Sequence, residues 1–186
     1  SQTSVGLAAL EKAIPYGDDL ILFITQDGGL AMFDLRTNEL QALQTSWPND
    51  SPPKDMAAYN NRIYALSNNS DNIYRYNRSL DGFSGSTPWV NFPGDLPDSA
   101  SAIAIDSSIY VVSTDGSFSK FHAGNHEFTE QLELDSPLNP SQLITSNTLK
   151  NVYIVDPEHQ KVVIVDKEGK LIEQITSPVF SDLVDA

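Results

Sequence analysis

The 186-residue chain has no cysteine, which excludes disulfide staples, thiol nucleophiles and Cys-ligated zinc or iron–sulfur centres. Positive charge is scarce. Lys and Arg total 11 against 25 Asp and Glu, a formal net charge of −14. Such a chain repels phosphate backbones and offers no basic cluster to an anionic lipid surface, so a nucleic-acid reader is disfavoured. Long apolar runs are missing too. The longest, Leu20-Ile21-Leu22-Phe23-Ile24, is far too short to span a bilayer, so no direct membrane insertion of this segment is expected. The start, Ser1-Gln2-Thr3-Ser4, has neither Met nor a charged stretch leading an apolar one, and reads as the edge of a processed or excised piece.

What is present is a folded composition, 40% hydrophobic and 9% aromatic, arranged as a repeat. Each unit holds an apolar strand, a polar turn and a second apolar strand closed by a polar residue. The first unit has Leu20–Ile24, Gln26–Gly29 and Leu30–Asp34; the second has Ile63–Leu66, Asn68–Asn72 and Ile73–Asn77. The third has Ile109–Val112, Thr114–Gly116 and Phe118–His122; the fourth has Val152–Val155, Asp156–Gln160 and Val162–Asp166. With Ile21, Ile63, Ile109 and Val152 as equivalents, the spacings are 42, 46 and 43 residues. Ile, Val, Tyr and Phe dominate these runs, which favours strands. A small-residue strand precedes the later pairs, at Met56–Tyr59, Ala102–Asp106 and Gln142–Thr145. A fourth strand is expected at Leu40–Leu43, Trp89–Phe92, Phe128–Leu132 and Leu171–Ile175.

Four antiparallel strands at this spacing define the fold class as all-β, a β-propeller of four-stranded antiparallel blades, with about four blades present. Small residues suit the innermost strands, which converge on an axis. The middle strands are the most apolar because blades stack on both of their faces. The expected boundaries are a lead-in over 1–19 (an inner strand or a short helix), blades over about 20–46, 54–92, 100–134 and 141–177, and a final segment 178–186. There Phe180–Asp185 resembles another first strand. It either begins a further blade of a larger propeller, the reading adopted, or closes a four-bladed ring and removes an aggregation-prone edge.

The run Asn151-Val152-Tyr153-Ile154-Val155-Asp156, its polar turn, and Val162-Val163-Ile164-Val165-Asp166 before Lys167-Glu168-Gly169 resembles an NHL-type repeat. The likeness extends more loosely over residues 20 to 170. Trp-Asp signals of WD40 blades and the Asp boxes of sialidases are absent. The resemblance implies a six-bladed-like propeller family, often found as extracytoplasmic domains of larger proteins, some of them lactonases or lyases with a channel metal. Such an enzyme needs inward carboxylates or His on its innermost strands. Here those strands offer only Asp55 and Asp106, at their ends.

Propeller geometry puts the loops between blades on the same face as the turns between second and third strands. That face collects 45–55, 93–98 and 135–140, rich in Asp, Asn and Pro, together with the hairpin turns at 26–28, 68–72, 115–116 and 158–159. The opposite face is expected to carry one long insertion, 78–88. Trp47, Asp50, Asp55, Asp95, Asp98 and Asp135 are the candidate binding residues, an anionic surface for a protein or a small polar ligand. The plainer alternative is that these residues only brace turns.

Catalytic and metal candidates are few. His122 and His126 flank a hairpin turn with Glu127 beside them, short of a ligand set. Ser67, Ser107 and Ser108 have no paired His in the sequence pattern, no phosphate loop occurs, and no Asp-x-Asp-x-Asp-Gly calcium spacing exists. Asn49, Asn68 and Asn77 fit the glycosylation sequon at a chance frequency. The expected protein is a non-enzymatic binding or sensory module of a larger, secreted or membrane-tethered protein, without cofactor or metal. A propeller enzyme and a structural spacer are the alternatives.

Overall fold

The computed structural model describes residues 10–92 and 94–182. Blade I is built from β1 (Leu10–Pro15), β2 (Leu20–Thr25), β3 (Leu30–Asp34) and β4 (Glu39–Leu43). Blade II holds β5 (Asp55–Tyr59), β6 (Arg62–Leu66), β7 (Ile73–Arg78) and β8 (Phe83–Pro88). Blade III holds β9 (Ala100–Ile105), β10 (Ile109–Ser113), β11 (Ser117–His122) and β12 (Asn125–Gln131). Blade IV holds β13 (Gln142–Ile144), β14 (Asn151–Asp156), β15 (Lys161–Asp166) and β16 (Leu171–Thr176). Every sheet is an antiparallel meander in chain order. The only helical segments among the described residues are two 3-10 turns, Pro48–Asp50 and Pro178–Asp182.

The four blades stand in ring order about a common axis. All four innermost strands, β1, β5, β9 and β13, line one central cavity of about 220 Å³. Ala57, Ala58 and Ala104 reach this cavity, and small side chains let the strands converge there.

Stacking explains the apolar runs. In β6 and β10 successive side chains point to opposite faces, yet both faces are buried. Ile63 and Ala65 pack toward blade I with Leu22, Ile24 and Leu30. Their neighbours Tyr64 and Leu66 pack toward blade III with Ile109, Val111 and Phe121. Tyr110, Val112 and Phe118 then meet Val152, Ile154, Val163 and Val165 of blade IV. Three apolar cores thus join blades I to II, II to III and III to IV.

Polar ties reinforce these junctions near the axis. Asp55, at the head of β5, is 2% exposed. Its carboxylate accepts the ammonium of Lys12 from β1 and, at 2.8 Å, the amide N–H of Ile103 from β9, so one side chain links three blades. On the far side Lys167 of blade IV pairs with Asp106 of blade III at 2.7 Å.

Three expectations need revision. The outer strand of blade II is Phe83–Pro88, not Trp89–Phe92. The Trp89 amide still reaches the Ile73 carbonyl of β7 at 2.8 Å and shares Asn72 Oδ1 at 3.1 Å, but the Val90 amide donates to Asn72 Oδ1 at 3.0 Å, so the chain leaves the ladder after Trp89. The supposed insertion on the opposite face therefore shrinks to the turn after Arg78, closed by Ser79 N–H to the Gly82 carbonyl at 2.8 Å. Finally, the strand resemblance at Phe180–Asp182 gives way to a 3-10 turn opened by Pro178, with Phe180 N–H on the Ser177 carbonyl at 2.9 Å; Leu183, Val184 and Asp185 lie outside the described residues.

Asp55→Ala is expected to lower unfolding free energy by roughly 3 kcal/mol, because it strands a buried amide and breaks a largely buried ion pair. Asp135→Asn, at an exposed site, should stay within about 0.5 kcal/mol of the parent. Urea unfolding of the two variants checks this contrast.

Candidate functional site

The loop face is built from the turns between second and third strands and the connections between blades. Many of its carboxylates are exposed: Asp27, Asp50, Asp71, Asp98, Asp115, Asp135 and Glu158 all lie at the surface, and Asp95 is half-buried. Several also brace turns, as the plainer reading requires. Asp115 accepts the Ser117 amide at 2.9 Å and the Ser99 hydroxyl at the same distance; the Ser117 amide above all holds its carboxyl below the usual value, with burial opposing. The Asp27 carboxylate takes the Thr25 hydroxyl and the Gly29 amide, and its pKa falls for those reasons.

Of the basic residues on this face, Lys12 and Lys161 are turned inward, while Lys54 is exposed along its stem and ties its end to neighbouring groups. Lys12 is engaged by Asp55. Lys54 directs its ammonium to Ser70 Oγ at 2.6 Å and the Ala100 carbonyl at 3.2 Å. Lys161 is 3% exposed and donates to the Ser136 carbonyl, Ser136 Oγ and the Pro137 carbonyl at 3.0, 2.9 and 2.8 Å. Burial draws the Lys161 ammonium below its ordinary pKa, with Asp156 and Asp135 opposing. Its function is local: it pins the connection between blades III and IV. Arg36, Arg62, Arg78, Lys150, Lys167 and Lys170 belong instead to turns at the opposite face. Sequence reasoning missed this segregation. It is readable in the register of each cation within its repeat, but only once the strands are placed.

Two of the six proposed contacts are not surface groups. Trp47 is 9% exposed and belongs to the core between blades I and II. Its ring meets Tyr76 edge-on, with centroids 5.5 Å apart, and its indole N–H donates to the Gly28 carbonyl at 2.6 Å. Gly28, at φ +79°, lies so close to Pro52 and the indole that a Cβ there would collide with the proline ring. Asp55 is likewise interior. Asp50, Asp95, Asp98 and Asp135 are left on the face, spread over three successive connections between blades.

Two shallow depressions interrupt the face. One of about 340 Å³ is lined by Pro48, Asn49, Ser51, Ser67, Asn68 and Asn69. Another of about 390 Å³ lies between Asp115, Gln131, Asp135 and Leu138. Among the described residues, Lys12 is the only charged side chain lining the central cavity. No group of three or more His, Asp or Glu converges among the described residues. The two hairpin histidines take separate partners, His122 Nδ1 meeting Ser108 Oγ at 3.2 Å and His126 Nε2 meeting Thr129 Oγ1 at 2.8 Å.

No family model and no curated protein matches the chain. Solved structures do. A Bacteroides thetaiotaomicron protein of unknown function is similar over 91% of this chain and 44% of its own, at 17% identity and a TM-score of 0.66. A catalytically inactive virginiamycin B lyase from Staphylococcus aureus, with quinupristin, is similar over 94% and 58%, at 14% identity and 0.61. YCF48 bound to D1 peptide is similar over 98% and 57%, at 10% identity and 0.60. The chain therefore spans about half the length of these solved proteins. At such identities the likeness carries the β-propeller fold; kinship with NHL repeats rests on the residue pattern alone.

Trp47→Ala should lower stability by about 3–5 kcal/mol, the usual cost of emptying a buried tryptophan site. Thermal and urea unfolding would show it.

A second expectation concerns Asp106. Burial opposes its charge, but Lys167 and the amides of Ser108 and Ser107 outweigh that and hold its pKa below the usual value. Its stabilisation is therefore complete above about pH 4 and is lost as pH falls through the lower folded value. Asp106→Asn should flatten that part of the acid unfolding profile.

Proposed function

We propose that this propeller is a non-enzymatic binding module that takes a cationic protein segment on its acidic loop face. The observation that carries this reading is the asymmetry of charge. On that face seven exposed carboxylates, Asp27, Asp50, Asp71, Asp98, Asp115, Asp135 and Glu158, outnumber the three lysines Lys12, Lys54 and Lys161, of which Lys12 is paired with Asp55 and Lys161 is buried, so the field stays negative. Stacked blades supply a rigid base and the connections supply recognition. Asp50, Asp98 and Asp135 are the expected contacts, with Asp95 beside them. YCF48, a propeller of similar fold, is bound to a peptide, which supports a peptide-class partner. Weighing against the lyase-like alternative, the one charged side chain that lines the central cavity among the described residues, Lys12, is engaged by Asp55.

The experiment is binding of a short oligolysine peptide, followed by surface plasmon resonance at low and at physiological salt. The parent should associate faster at low salt, since complementary charge acts chiefly on the encounter rate. Replacing Asp50, Asp98 and Asp135 together by Asn should cut that association rate about tenfold or more, leaving the melting temperature unchanged. A hydrogen-exchange footprint around Leu80 to Thr87, on the other face, would overturn the reading, as would binding indifferent to salt.

A further inference from the structure

Blade II holds three of the chain's four arginines, Arg62, Arg75 and Arg78. The chain carries 25 Asp and Glu for 11 Lys and Arg, yet none of the three meets a carboxylate. Among the described residues the ion pairs engage Lys12, Arg36, Lys120, His159 and Lys167 instead. Arg78 donates to the Gly82 carbonyl at 2.8 Å and lies over the Phe83 ring, 5.4 Å from its centroid. Arg62 gives its Nε–H to Asn77 Oδ1 at 3.2 Å. Arg75 is the anomaly. It is half-buried, and its Nε, screened from solvent, has no hydrogen-bond partner. A guanidinium taken partly out of water without an acceptor is unfavourable, so this group points to an anion.

Strand register sets out its surroundings. Arg62 pairs with Asn77 and Tyr64 with Arg75, so Arg62 and Arg75 are diagonal neighbours on one face of the sheet. Such neighbours stand about 7–8 Å apart. This is the face turned to blade III, since Tyr64 belongs to that core. Further out on the same two rows lie Ser84, opposite Asn77, and Thr87, opposite Arg75. Both are short and exposed, so neither screens a guanidinium from what lies beyond the sheet. No strand of the β6 to β8 ladder carries a carboxylate. The other outer strands all do: Glu39 in β4, Glu127 and Glu130 in β12, Glu173 in β16.

We propose that Arg75 and Arg62 form an anion site for an extended acidic segment of a partner protein, one with carboxylates at alternate positions. In an extended chain alternate side chains share a face and stand about 7 Å apart, which matches the spacing of the two arginines. Each guanidinium offers the planar fork that suits a carboxylate, and the bond to Asn77 orients Arg62. A single small anion gains little on so open a surface, whereas one segment delivers two carboxylates together. The site lies on the flank of blade II and does not depend on the loop-face reading, whose ligand has the opposite charge.

The probe is a capped peptide of alternating Glu and Ser, titrated calorimetrically at physiological salt, where the field of remote carboxylates is screened beyond about 8 Å. Binding is expected, and Arg75→Gln should weaken it about tenfold, Arg62→Gln by less. Arg36→Gln removes an arginine already paired with Asp34 and Asp19 and should leave it unchanged. A peptide of the same composition with Glu in adjacent pairs should bind more weakly, because neighbouring side chains point to opposite faces. Thr87→Glu places a carboxylate on the row of Arg75; it should fill the site from within and abolish binding while the melting temperature holds or rises. That variant carries the test if Arg75→Gln fails to fold. No binding by the parent at about millimolar peptide would overturn the inference. So would parent-like affinity in Arg75→Gln or Thr87→Glu, or equal affinity for the two peptides.

Discussion

A four-stranded sheet has two faces, and in a blade neither can be left to water. Everything else in this protein follows from that constraint. A middle strand such as β10 must be apolar at every position rather than at alternate ones, and from Ile109 to Ser113 it is buried throughout. Because Tyr64 serves one junction and Ile63 the other, the three cores are coupled through single strands a few residues long. Damage at one junction is transmitted to the next blade, so stability here is close to a sum over neighbouring pairs. Asp55 shows the same logic in polar form. It sits where three inner edges meet and answers a cation from one blade and an amide from another.

That constraint also decides what could be read from the amino acids. The paired apolar runs were legible because two-faced burial leaves no polar position to blur them; Ile109–Val112 and Val162–Val165 carry the signal almost unaided. Outer strands are legible only in part. Phe83–Pro88 reads as a loop, since a strand with one ladder partner and solvent beyond it can be made of Ser, Gly and Thr; after Phe83, every one of its residues is exposed. Trp89 and Val90 read as the strand instead because they are apolar, but they serve as packing under a connection, with Trp89 edge-on to Tyr64 at 5.8 Å. Trp47 misleads in the mirror sense. A Pro-rich neighbourhood suggests a displayed ring, whereas its prolines help wrap it: Gly28 admits Pro52 and the indole together. Which carboxylates stayed outside was hidden for a third reason. Asp50 and Asp55 differ by five positions in one connection, and only the meeting of inner edges separates an interior tie from a surface charge.

The loop face inherits its polarity from the same architecture. A cation just before an inner strand, or at the start of a third strand, lies close to main-chain carbonyls of the neighbouring blade or connection. Lys54 donates to Ala100 and Lys161 to Ser136 and Pro137. An ammonium bonded to main-chain carbonyls still carries its charge, beneath the surface at Lys161 and on an exposed side chain at Lys54. Carboxylates cannot serve carbonyls at all, since they only accept. They turn to the amides of tight turns, as Asp115 does with Ser117, and those amides lie at the rim. An excess of carboxylates over cations at the rim needs no selection for a ligand. It nonetheless leaves a rigid surface with a net field of one sign, and it is this field, more than any single depression, that a basic segment would meet first.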